Sequence, residues 1–144
     1  MPLVKVVSDD EQLRDAYSVR SKVFIQEQNV PEEEEIDQYE KDSIHFVVYD
    51  CNQAIGAARL RLIDDYAKVE RVCILKEYRG TGIGKRLMEA IEKAAADQHA
   101  QHIKLHSQTH AEIFYNKLGY ETKSDIFMDA GIPHVAMEKK VRPI

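Results

Sequence analysis

The 144-residue sequence holds only two cysteines, Cys51 and Cys73, far apart, with no CxxC pair and no Cys/His grouping at zinc-finger spacing. Neither a disulfide framework nor a metal site is expected from that usage, and the pair reads as buried thiols in a reducing cytoplasm. Long apolar runs are missing as well. Nowhere do eighteen apolar residues follow one another, and Met1 to Asp10 has no apolar stretch of signal-peptide length, so neither a membrane partner nor secretion is expected. Positive charge is in deficit. The chain carries 20 Lys+Arg against 25 Asp+Glu, a formal net charge of −5, whereas nucleic-acid binding rests on clustered positive charge, so no nucleic-acid partner is expected. Repeats, low-complexity tracts and linkers are also absent. The length fits one domain, residues 1–144, which buries roughly 68–70% of the surface its unfolded chain exposes.

What is present is a succession of short patterned segments. Val4 to Val7 reads as a strand, and Ser8 with Glu11 forms a capping box opening a helix. Leu13, Ala16, Tyr17, Val23 and Phe24 keep near-helical spacing to about Gln28. From Pro31 to Asp42 stand Glu32, Glu33, Glu34, Glu35, Asp37, Glu40 and Asp42 with one base, Lys41. That stretch reads as a loop, or a loop with a short helix, carrying a strong negative field. Ile44 to Tyr49, Ala54 to Ile63 and Ala67 to Leu75 are strand-like and separated by turn residues, which predicts an antiparallel meander. After the glycines, Leu87, Ile91, Ala94 and Ala95 take helical spacing. A strand at Ile103 to His106, a short helix at Ala111 to Leu118 closed by Gly119, and a last strand at Val135 to Val141 complete the order βα-βββ-α-β-α-β. This order predicts an α/β or α+β sandwich: one mixed, mostly antiparallel central sheet flanked by helices.

The segment Arg79-Gly80-Thr81-Gly82-Ile83-Gly84-Lys85 carries the chemistry. Its glycines let the backbone turn sharply and let a ligand approach, and the helix that starts there offers free N–H groups at its positive dipole end. Such an end binds phosphate. A glycine turn that merely lets strand and helix pack is the plainer alternative. A P-loop would need Gly where Arg79 stands and Ser or Thr where Arg86 stands, and a dinucleotide fingerprint would need Gly at Lys85. Both patterns fail.

Arg79, Gly82 and Gly84 do match the pyrophosphate-loop pattern of the GNAT superfamily, Arg or Gln, two residues, Gly, one residue, Gly or Ala, and the segment resembles that loop. Ala111 to Tyr120, containing Phe114-Tyr115 and Leu118-Gly119-Tyr120, is similar to the family's short helix ending in Phe-Tyr-x-x-Leu-Gly-Phe. With Arg20 to Gln28 and Gly131-Ile132-Pro133-His134, the likeness is strongest to the ElaA-like and YjcF-like group. The resemblance covers roughly Val4 to Val141. It implies an N-acetyltransferase that uses acetyl-CoA as cosubstrate and a small-molecule or peptide amine as acceptor, with a homodimer left open. A module that binds acyl-CoA without turnover is the competing reading, and a plain interaction domain would bind no coenzyme.

The same resemblance assigns roles. Backbone groups of Val72, Cys73 and Ile74 would pair with the pantetheine arm, and amides from Arg79 to Lys85 would take the pyrophosphate. A strand N–H could polarise the thioester carbonyl. Tyr115 aligns with the family's acid for the departing thiolate, unless it is only a core aromatic beside Phe114. Glu70, on the strand before the loop, is the obvious carboxylate for proton removal, unless it is exposed or paired with Arg71, and the family often deprotonates through ordered water instead. His134 could line the acceptor pocket or be a structural histidine; His45, His106 and His110 have weaker claims. Gln108 departs from the Asn many members carry beside the pantetheine. A cationic amine would suit the Glu32 to Glu35 stretch, although a solvated acidic loop is the commoner fate of such runs.

Overall fold

In the computed structural model, which describes residues 2–141, the first strand β1 (Leu3–Val6) leads into α1 (Asp10–Arg20) through a cap one residue later than expected. Asp9, not Ser8, is the N-cap, its carboxylate accepting from the Gln12 amide at 2.8 Å. Ser8 instead donates its amide and hydroxyl to Gln12 Oε1. The Asp9 carboxylate meets an orphan donor of the first turn, so the pair that closes the turn is Asp9 with Gln12.

Beyond Arg20 the helix widens into a π-helical stretch, Ser21–Glu27. Its exit is marked by bonds from Gln28 N–H to Val23 O and from Val30 N–H to Phe24 O. Wide turns of this kind are rare and concentrate at functional sites. A four-residue helix α2 (Glu32–Glu35) follows. Then come β2 (Ile44–Asp50), β3 (Gln53–Ile63) and β4 (Tyr66–Ile74), the expected meander. Cys51 and Asn52 both take left-handed backbone in the two-residue β2–β3 turn, the geometry a tight hairpin needs. That turn leaves Cys51 exposed, against the expectation of two buried thiols; Cys73 is buried.

The rest of the chain is α3 (Ile83–Asp97), β5 (His102–Gln108), α4 (Glu112–Lys117), β6 (Glu121–Thr122), β7 (Phe127–Asp129) and β8 (Ile132–Lys140). The sheet runs β1-β2-β3-β4-β5-β8-β6, with β7 on β8, and among the described residues only the β4–β5 pair is parallel. The short strands β6 and β7 carry too few residues for an alternating pattern, which is why the sequence does not announce them. Consecutive residues Phe46, Val47 and Val48, and again Ala57 and Ala58, are almost fully buried. Both faces of the central strands are therefore covered, with α1 and α3 each packed on β2, β3 and β4. On α3 the buried stripe is Ile83, Leu87, Met88, Ile91, Ala95 and Ala96. Among the described residues no helix is long and apolar enough to cross a membrane.

Charge, not only oil, fixes the acidic segment. Arg20 is fully buried at the end of α1 and donates to Glu35 Oε2 and to both Glu40 oxygens, at 2.7–3.1 Å. Arg59, also fully buried, reaches Asp37 at 2.7 Å, Glu40 at 3.0 Å and Glu70 at 2.7 Å. Buried charges persist only when paired in this way. The stretch is thus not one solvated run: Glu32, Glu33 and Glu34 are exposed, whereas Glu35 and Glu40 are buried.

Candidate active site

Two irregularities in β4 open the molecule. The β4–β5 ladder runs from Tyr66 opposite His102 to Val69 opposite Leu105 and then stops. Each strand goes on with its other neighbour: β4 with β3 as far as Ile74, and β5 with β8 as far as Gln108. The next rung, Glu70 opposite His106, is not formed. At the same place the β3–β4 register moves from Arg59 opposite Glu70 to Ala57 opposite Cys73. The extra residue is accommodated at Arg71, whose φ of 60° is left-handed, and a bulge of this kind bends the strand that carries it. Parallel strands that diverge leave a gap.

The gap is the floor of a cleft of about 900 Å³, within the range of small-molecule and cofactor sites. Val72, Cys73 and Ile74 line one wall, and Ser107 and Gln108 the other. At one end it reaches Arg79, Gly80, Gly82, Gly84 and Lys85. Gly80 and Gly82 have φ of 78° and 86°, and a Cβ added to either would meet nothing within 4 Å. Among the described residues nothing fills the space immediately above them. Gly82 caps α3 without a side-chain hydrogen bond, and no acidic residue stands in the first turn. The first bond of the turn is Arg86 N–H to Gly82 O, which leaves the preceding amides free for a ligand. Thr81 and Ile83 face away from this cleft: the Thr81 hydroxyl donates to Tyr78 O at 2.7 Å, and Ile83 is buried in the core.

The Arg79 side chain has other work. Its two terminal nitrogens sit 2.8 Å from the two Glu27 oxygens, and its Nε donates to Ile74 O. That bidentate pair raises the basicity of Arg79 and lowers the Glu27 carboxyl, so both stay charged. It joins the π-helical stretch to the glycine loop.

Tyr115, on α4, lies beside Cys73 and lines the cleft with little exposure. Its ring packs edge-on between Phe114 and Tyr120, and among the described residues its hydroxyl has no hydrogen-bond partner. Burial, then the nearby Cys73 sulfur, push its ionisation upward. Burial likewise pushes the Cys73 thiol up to about 12. Tyr115 therefore keeps its proton at neutral pH and can donate it.

Glu70 lines the far end of the cleft but is heavily engaged. Arg59 Nη2 and Arg61 Nε each lie 2.7 Å from its Oε1, and Lys68 Nζ lies 3.5 Å from Oε2. Burial works to raise its carboxyl, yet the hydrogen bonds from Arg61 and Arg59 prevail and hold it below the ordinary value. The expected Arg71 partner is not among them: left-handed at the bulge, Arg71 points to Glu35 and Asp37 instead. His134 lines the same end, almost buried, with Nδ1 donating to Ile132 O at 2.7 Å and its ring stacked on Phe127. His106 stands beside it, edge-on to Phe127 at 5.0 Å. Gln108 closes the wall between them and the loop, donating to Gln28 Oε1 while its Oε1 meets His110.

The sequence reading missed Asp37, Glu40 and Arg59 as supports of this end. A signal for them was present, since an arginine inside the apolar run Ala54 to Leu60 has to find carboxylates. Glu27 as the partner of Arg79 lies 52 residues away and had no such signal.

Comparison with known proteins bears on the family and the fold. The acetyltransferase (GNAT) domain family matches residues 7–141. A Bacillus subtilis protein described as an uncharacterized N-acetyltransferase, YjcF, is 51% identical over 135 residues, covering 93% of this chain and 96% of its own. Among solved structures, Escherichia coli ElaA superposes with a TM-score of 0.86 at 23% identity, over 96% of this chain and 99% of that one. An acyl-CoA N-acyltransferase from Pseudomonas aeruginosa gives 0.83 at 22% identity, over 96% and 98%.

Proposed function

Because the chain belongs to the GNAT acetyltransferase family, whose members are acyl-CoA-dependent N-acyltransferases, we propose that it moves an acetyl group from acetyl-CoA to a primary amine by direct attack in a ternary complex. The observation that carries the reading is the continuous cleft from the uncapped end of α3, along the unpaired edge of β4, to Tyr115 and Glu70. A coenzyme with a pyrophosphate, a peptide-like arm and a thioester has the same order of parts. The amides from Gly80 to Lys85 take the pyrophosphate; that of Arg79, expected among them, already donates to Lys76 O at 3.3 Å. The backbone groups of Val72, Cys73 and Ile74 turned toward the gap bind the arm as an added strand would, the Ile74 carbonyl being already held by Arg79 Nε, and one strand amide there polarises the thioester carbonyl.

The amine enters from the end walled by Glu70, His134 and the exposed carboxylates Glu33 and Glu34, which favours a cationic small molecule or peptide terminus. Once the bound ammonium has lost one proton, its nitrogen attacks the carbonyl carbon and gives up a second to a base, the C–S bond breaks, and Tyr115 gives its proton to the thiolate. Glu70, tied to three cations, acts through its charge on that end of the cleft. The pair of free cysteines accords with a cytoplasmic setting.

A two-part measurement tests the proposal. Acetyl-CoA at a hundred times its dissociation constant adds about 2.7 kcal/mol, or roughly 5–10 °C in Tm for a domain of this size. A panel of primary amines with acetyl-CoA should then release free thiol. No melting shift at saturating acetyl-CoA would end the reading.

A further inference from the structure

We infer that His106 is the base that takes the proton from the attacking amine, across the opening of the sheet from Glu70; the inference rests on the acyl-transfer reading above. Lys68 pairs with Lys104 and Val69 with Leu105, so continuing the register sets Glu70 against His106 at the first rung that does not close. In a strand, residues two apart share a face. Lys68 and Glu70 on β4 thus share a face with Lys104 and His106 on β5, and Glu70 and His106 flank the point where the cleft begins. Both line it.

Their chemical states differ. Protonating Glu70 would cost its contacts with Arg59, Arg61 and Lys68. His106 is exposed to the cleft, and among the described residues neither ring nitrogen has a hydrogen-bond partner. Its ring is held by the edge-to-face contact with Phe127, which uses no nitrogen. The groups facing it are Lys68 and Glu70 on β4, Asp129 on β7 and His134 on β8. Burial, then the Lys68 charge, hold the imidazole below its ordinary value, while Asp129 and Glu70 oppose this. It is neutral at neutral pH and able to accept a proton.

The step balances. As the amine nitrogen bonds to the carbonyl carbon, one of its protons passes to a His106 nitrogen; the electron pair of the breaking C–S bond leaves on sulfur, which takes the Tyr115 proton. Solvent then removes the proton from His106 and returns one to Tyr115, leaving amide and free thiol.

The test uses His106→Asn and His106→Ala in the full chain, with acetyl-CoA and the primary amine that turns over fastest in the panel. Expected are a loss in kcat of about 10²–10⁴-fold, an intact melting shift with acetyl-CoA, and disappearance of the acidic limb of kcat/KM that lies below about pH 6.5 in the parent. Added imidazole should restore part of the activity of the Ala variant. Glu70→Gln should keep the limb and move it to lower pH, because loss of the anion further disfavours the imidazolium. Activity of His106→Asn within about threefold of the parent, or an acidic limb lost in Glu70→Gln and kept in His106→Asn, would overturn the inference alone. Histidine NMR of the parent tests it without turnover: a His106 ring already protonated at pH 7.5 also overturns it. A protein that neither binds acetyl-CoA nor acylates any amine overturns the acyl-transfer reading as well.

Discussion

Tyr115→Phe removes one hydroxyl from the cleft and leaves the ring packed between Phe114 and Tyr120. If the hydroxyl protonates the thiolate, kcat should fall by about 10²-fold, the lower part of the general-acid range, because a thiolate leaves more readily than an alkoxide. The acetyl-CoA melting shift of the variant should match that of the parent. A kcat within about twofold would leave the hydroxyl only roughly 0.4 kcal/mol of the barrier and make Tyr115 a packing residue. Residue identity was legible in the sequence here, since Phe114-Tyr115 stands in a recognisable motif. Residue state was not: that Glu70 is tied to Arg59 and Arg61 depends on which side chains share a sheet face, which register decides and composition does not.

The acidic helix α2 splits into two kinds of carboxylate, and substitutions should sort them. Glu33→Gln with Glu34→Gln, both exposed, should raise the acceptor KM and leave that for acetyl-CoA alone, with an effect that shrinks as salt screens the charges. Unchanged KM values would return these residues to a solvated role. Glu35→Gln should act on stability, because it leaves buried Arg20 short of a counter-charge, a loss on the order of 3–5 kcal/mol when a buried pair is broken. Thermal melting distinguishes the two. In the glycine loop, Gly82→Val forces a β-branched residue to φ 86° and fills the space left for phosphate. Its baseline Tm should drop, and the increment from acetyl-CoA should vanish; an undiminished increment would place the phosphates elsewhere. The helix at this loop and the meander before it could be read from periodicity and glycines. The π-helical stretch could not, because its residues keep the apolar spacing of an ordinary helix and only their hydrogen bonds differ.

At the scale of the whole molecule, the ion pairs that tie α1, the acidic segment and the sheet together make stability depend on pH. Burial works to raise the Glu40 carboxyl, but the hydrogen bond and charge of Arg20, then the charge of Arg59, bring it from 4.5 to about 2. A carboxyl lowered by folding stabilises fully above its unfolded value, and the contribution is lost as pH falls from about 4.5 towards 2. The difference is worth on the order of 3 kcal/mol. Asp37 and Glu70 are also lowered, burial opposing and the arginines prevailing in each, so they act in the same direction. Tm should therefore fall steeply below pH 4.5, and Glu40→Gln should start lower at pH 7 and lose less on acidification. A parallel decline in both proteins would remove Glu40 from the account. The mixed, mostly antiparallel sheet follows from the element order and the motif, but the strand order beyond β5 and the divergence of β4 from β5 are properties of pairing that no local pattern encodes. It also leaves a record in time. On either side of the Arg71 bulge, Glu70, Cys73 and Ile74 keep their rungs with β3, while the backbone groups turned toward β5 have no strand to meet. In deuterated water this short length of chain should exchange in two classes, slow and fast by turns. A ligand lying in the gap as a missing strand would merge them, so the coenzyme's path could be mapped amide by amide before any acceptor is known.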